Sequence, residues 1–130
     1  MRTALFFSMV CALLLFSCTK SESGTNSKAT LPGTWTLVET LADPGDGSGT
    51  WQPAATPLTL TFAADGIITG DAFPQARRYE VLGNTTIKFI YADGTFINYN
   101  YVLTETTLSL SGGGCIEACG VRFSKSRLLH

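Results

Sequence analysis

The feature that most constrains this chain is an alternation of apolar and polar side chains, cut at short intervals by turn residues. Leu58, Leu60 and Phe62 alternate with Thr59, Thr61 and Ala63. Successive side chains of a strand point to opposite faces, so this pattern fits a half-buried strand. Asp65-Gly66 follows, a pair that tolerates the positive φ angles of a type I′ hairpin, and Ile67 to Gly70 is the expected return strand. Tyr79 to Leu82 reaches the Gly83-Asn84 turn, and Ile87 to Tyr91 reaches Asp93-Gly94. Phe96 to Leu103 then sets Ile97, Tyr99, Tyr101 and Leu103 on one face, and Thr107 to Ser111 turns Leu108 and Leu110 inward. With Trp35-Thr36-Leu37 at the start and Val121-Arg122-Phe123 at the end, the pattern predicts eight short strands. Helical spacing of Ala, Glu, Lys and Leu is absent, so the fold class is all-β. Tight turns at regular intervals point to an up-and-down antiparallel barrel, with a sandwich of the same strands as the competitor. Closure also removes the two unpaired edges that an open meander would expose.

The N-terminus has a different character. Met1-Arg2-Thr3 precedes an apolar run from Ala4 to Phe16 and then Ser17-Cys18. The run is short of the ~20 residues of a permanent membrane helix and reads as a secretory signal peptide over residues 1–17. Leu15-Phe16-Ser17-Cys18 resembles the lipobox of bacterial lipoproteins, which implies cleavage before Cys18 and lipid attachment to it. Acyl chains contribute ~0.8 kcal/mol per buried methylene, enough to hold a domain at a membrane without a membrane-binding surface. The expected location is the cell envelope, at the outer membrane. Residues 18–30 are the lipidated Cys and a polar tether, and 31–130 form the domain.

Composition removes several function classes. The chain has 130 residues, 45% of them hydrophobic, and a formal net charge of −1. That leaves room for one domain, and with basic residues grouped only at Arg77-Arg78 no nucleic-acid partner is expected. The sole His is the terminal His130, so no Ser-His-Asp or Cys-His arrangement can be assembled. The carboxylates are scattered and give no pair for acid–base work. The expectation is a protein that is not an enzyme and uses no cofactor.

Cys115 and Cys119 carry definite chemistry. In an oxidising compartment, a hairpin with Ile116-Glu117-Ala118 at its tip brings the two within disulfide range. Two thiolates at this spacing could instead serve a metal, but structural zinc takes four ligands. The segment Asp43 to Pro53 has three glycines and two aspartates, matching neither a dinucleotide loop nor an EF-hand, and reads as a flexible connection.

Leu31-Pro32-Gly33-Thr34-Trp35-Thr36-Leu37 resembles the Gly-x-Trp opening of lipocalin-like domains found in small lipoproteins of Bacteroidetes-type bacteria. Leu60 to Gly66 and Cys115 to Phe123 are similar to the middle and end of those domains. The heat-shock-associated META-type barrels open similarly, but the Gly-Cys-Asn step of many members is missing after Gly70. The resemblance implies that Gly33 and Trp35 close the base of the barrel under a basic side chain from near the chain end, Arg122 or Arg127. Arg122 should face out if Val121 and Phe123 face in, which favours Arg127. The resemblance further implies a small hydrophobic ligand in the barrel, with Trp51 over the mouth. Tyr79, Tyr91, Tyr99 and Tyr101 with Phe89 and Phe96 could line an apolar pocket, and Phe89, Tyr99 and Tyr101 are the candidate contacts. The alternative is a filled aromatic core and an interaction or inhibitor module. Strands of about six residues make a low barrel, which favours a largely filled interior.

Overall fold

A computed structural model describes residues 29–114 and 119–127. The expected signal peptide, Cys18, the expected tether up to residue 28, and Cys115 lie outside the described residues. The strands are β1 (Gly33–Ala42), β2 (Trp51–Pro53), β3 (Thr59–Phe62), β4 (Ile68–Thr69), β5 (Ala76–Leu82), β6 (Thr86–Tyr91), β7 (Phe96–Leu103), β8 (Thr107–Gly112) and β9 (Cys119–Lys125). They run around one antiparallel sheet in the order β4-β3-β1-β9-β8-β7-β6-β5, with β2 paired to β1.

Apart from that excursion, each strand neighbours the next along the chain, and β9 returns to β1 along most of its length. β3 pairs Gly33–Thr36 and β2 pairs Glu39–Leu41 on the same edge of β1, so the two short strands fill one position between them. The circuit closes where β4 meets β5, through an Ile67–Arg78 bridge and a Tyr79 N–H donated to Gly66 O at 2.9 Å. The result is the expected all-β, up-and-down antiparallel barrel of eight strand positions, narrowly joined at one seam, and not the sandwich.

The alternation read from the sequence fills the interior. Leu60 and Phe62, Ile87 and Phe89, and Leu108 and Leu110 are buried, while the intervening Thr59, Thr61, Lys88 and Ser109 retain solvent exposure. Register aligns these inward residues across strands, as in the row Leu37, Phe123, Leu108, Leu103. On the outside, Thr34 and Thr61 sit opposite one another with their hydroxyls 2.9 Å apart.

Two β-bulges decide where charges go. Leu37 faces the core, so strict alternation would point Glu39 inward as well. The register shift between them turns Glu39 outward against Arg122 and rotates Thr40 into the barrel mouth. A second shift, between Ala76 and Arg78, leaves Ala76 in the core and Arg78 on the surface. An extra backbone residue is a smaller disturbance than an unpaired charge inside an aromatic core.

Three details depart from the sequence reading. The Asp-Gly turns are not two-residue type I′ loops. Gly66 N–H bonds Ala63 O and Gly94 N–H bonds Tyr91 O, so Ala-Asp occupies the centre of each turn and the positive-φ glycine follows as a bulge. Asp65 and Asp93 then accept the backbone N–H two residues on, which favours Asp at that position. The 43–53 connection is not uniformly loose. The Asp43 carboxylate accepts backbone N–H groups of Gly45, Gly47 and Gly49, and Trp51–Pro53 is a strand. Finally, β4 is only two residues long because the chain after Gly70 turns inward.

Candidate functional site

The two ends of the barrel are built differently. At the base, Trp35 is fully buried and its indole N–H donates to Leu31 O at 2.9 Å, which secures the incoming chain. The basic group over its ring is Lys125, with Nζ 5.1 Å from the ring centroid and donating to Thr30 O at 2.9 Å. Neither Arg127 nor Arg122 occupies that place. Arg127 follows the last strand and is exposed, and Arg122 lies on the outer wall over Trp51. Register gives the reason: Trp35 pairs directly with Lys125 across β1 and β9. Gly33 has φ +132°, and a side chain there would crowd Lys125 Cε at 3.2 Å.

The mouth is organised by a residue that the alternation could not reveal. Phe73 lies in the β4–β5 connection and enters the barrel end, with its ring 5.1 Å from Phe89, 5.8 Å from Tyr99 and 6.4 Å from Phe123. Asp71 positions this segment by accepting Thr59 N–H at 2.6 Å and the Thr59 hydroxyl at 3.1 Å. Those bonds hold its carboxyl below the ordinary range. Ala72 N–H returns a bond to Thr59 O at 2.9 Å. The only hint in the sequence was a large aromatic residue inside a loop of Asp, Ala and Pro.

Beside Phe73 is an open depression of about 310 Å³, lined by Thr40, Tyr99, Leu110, Cys119 and Val121. A second depression, a shelf of about 480 Å³, is formed by Gln75, Tyr91, Asp93, Thr95 and Ile97. The Tyr91 and Tyr99 hydroxyls meet at 2.9 Å between the two. Burial, and then the hydrogen bond with Tyr91, raise the Tyr99 pKa, so its hydroxyl stays protonated at neutral pH.

Of the expected ligand contacts, only Tyr99 lines this depression. Phe89 lies beneath it in the closed core. Tyr101 is half-buried and directs its hydroxyl to Gly83 O at 3.3 Å, near the base. Trp51 is not over the mouth. It packs on the outer wall, where its ring takes the space that a side chain at Gly120 would need. Cys119 opens β9 at the rim of the depression.

Among the described residues, no three His, Cys, Asp or Glu side chains are grouped to hold a metal ion. Fold and site together define a small up-and-down β-barrel with a filled base and a shallow, aromatic mouth. No family model, curated protein or solved structure matches the chain.

Proposed function

We propose that this chain is a lipid-anchored protein of the cell envelope that holds a small hydrophobic molecule at the mouth of a lipocalin-like barrel. The observation that carries this reading is the apolar depression of about 310 Å³ beside Phe73, Tyr99 and Leu110. That volume is at the lower end for small-molecule sites. Because Phe62, Phe89, Phe123 and Trp35 fill the barrel below it, the ligand is smaller than one that would occupy a whole barrel. The reading is one of binding, without catalysis, cofactor or nucleic acid.

Native mass spectrometry of the chain purified from its host tests this directly. A small apolar molecule should travel with the protein and be lost on Thr40→Trp, which fills the depression from its rim. A protein that arrives empty in every preparation counts against the reading. Lipid attachment at Cys18 predicts that palmitate labelling disappears in Cys18→Ser. A Cys115–Cys119 disulfide, which would brace the hairpin at the rim, predicts that neither thiol alkylates until a reductant is added.

The second reading is an interaction or inhibitor module, and a different observation favours it. Phe96 is 58% exposed and Val102 is 67% exposed on the outer face of β7. Retained pull-down of an envelope protein by the wild type, lost on Phe96→Ser with Val102→Ser, would support that role.

A further inference from the structure

We propose that the molecule held at the mouth is neutral, with an apolar body and a hydrogen-bond acceptor such as a carbonyl oxygen, which the paired hydroxyls of Tyr91 and Tyr99 recognise. This rests on the mouth-pocket reading above and specifies its ligand.

Two tyrosine hydroxyls carry two protons, and their mutual bond at 2.9 Å uses one. Neither hydroxyl has another hydrogen-bond partner among the described residues, so one proton remains to be donated outward. The pair stands where the apolar depression containing Tyr99 meets the more polar shelf containing Tyr91. An apolar body beside Leu110 and Val121 therefore has a donor within its neighbourhood, at the edge of the depression.

Among the described residues, the linings of both depressions contain no Lys, Arg or His. A carboxylate entering the mouth would lose hydration without gaining a counter-ion. The one acidic side chain there, Asp93, is already engaged by Thr95 N–H at 3.0 Å and the Thr95 hydroxyl at 2.6 Å. A neutral acceptor gains the donor's bond at a much smaller desolvation cost than an anion.

Three probes of matched shape separate this inference from the reading beneath it: naphthalene, 2-acetonaphthone and 2-naphthoate, titrated into the full chain by calorimetry. Naphthalene reports the apolar depression alone. The expected result is that 2-acetonaphthone binds roughly five- to tenfold tighter than naphthalene, as one net hydrogen bond predicts, and that 2-naphthoate binds more weakly than the ketone. In Tyr91→Phe with Tyr99→Phe, the ketone should lose its advantage and bind no tighter than naphthalene does to the same variant. Naphthalene binding with no advantage for the ketone, or an advantage that survives the double substitution, overturns the tyrosine assignment and leaves the pocket intact. Failure of all three probes to bind overturns the pocket reading and this inference with it. Unchanged circular dichroism of the double variant confirms that the comparison is between folded proteins.

Discussion

The guanidinium of Arg122 stands over the ring of Trp51 with its Cζ 4.0 Å from the ring centroid, and its Nη1 reaches the Glu39 carboxylate. This stack joins β9 to β2 across β1 on the outer wall. It accounts for a strand at the end of a segment whose Gly and Asp content predicts a flexible connection. β2 is only three residues long, too short to persist through its backbone bonds alone, and the indole clamped between Arg122 and the bare backbone of Gly120 holds it.

Trp51→Ala should therefore be a stability variant and not a ligand-binding one. It loses the packing of a partly buried indole and a cation–π contact, and we expect about 2 kcal/mol of destabilisation in urea unfolding. Binding of naphthalene at the mouth should be unchanged. A variant with wild-type stability but weakened binding would place Trp51 over the mouth after all.

The base offers a paired comparison. Lys125→Met keeps most of the side-chain volume but removes the charge over Trp35 and the bonds to Thr30, and should cost about 1–2 kcal/mol. Arg127→Met changes an exposed residue beyond the last strand and should stay within about 0.5 kcal/mol of wild type. Thermal or urea melts of the two variants settle which basic group serves the indole.

Most of the barrel was legible because burial on one face writes period two into the sequence, as in Leu58 to Phe62 and Phe96 to Leu103. Bulges are invisible to that signal. The shift after Leu37 changes the facing of Glu39, Thr40 and Leu41, and so hid Thr40 at the mouth and the outward path that brings Trp51 to Arg122. The choice of Lys125 over Arg127 depended on register, which hairpin lengths fix and composition does not. Phe73 was hidden for another reason: it is a core residue supplied by a loop, where no periodicity exists to mark it.

The Asp71 latch makes acid sensitivity predictable. Its carboxyl pKa is held below its ordinary 3.8, chiefly by the Thr59 N–H and then by the Thr59 hydroxyl. A depressed native pKa contributes stability that is complete above the unfolded value and is lost as pH falls through it toward the native value. The urea midpoint should thus be flat from about pH 7 to pH 5 and decline below about pH 4. Asp71→Asn should lower the neutral-pH plateau and flatten part of the decline. Part of the acid slope remains, because Asp43 and Asp93 are also shifted down by backbone and hydroxyl donors. An unaltered pH profile in Asp71→Asn would mean that the latch does not hold the Phe73 segment.

Gly113 and Gly114 permit the packing at Tyr99 to be weighed separately from backbone strain. Both have left-handed φ angles, +78° and +92°, so alanine at either pays a conformational penalty of about 1 kcal/mol. At Gly114 an added methyl meets nothing within 4 Å, whereas at Gly113 it would overlap the Tyr99 ring. Gly114→Ala should therefore report strain alone. Gly113→Ala adds displacement of Tyr99 from Phe89 and Phe73 and should be destabilised by a further ~1–3 kcal/mol. It should also break the Tyr91–Tyr99 hydroxyl pair and disturb the depression that Tyr99 lines, so probe binding at the mouth should weaken in Gly113→Ala and persist in Gly114→Ala. Equal loss of stability in the two variants would show that Tyr99 moves aside freely, and a mouth that yields so easily could not hold a donor in place for a ligand.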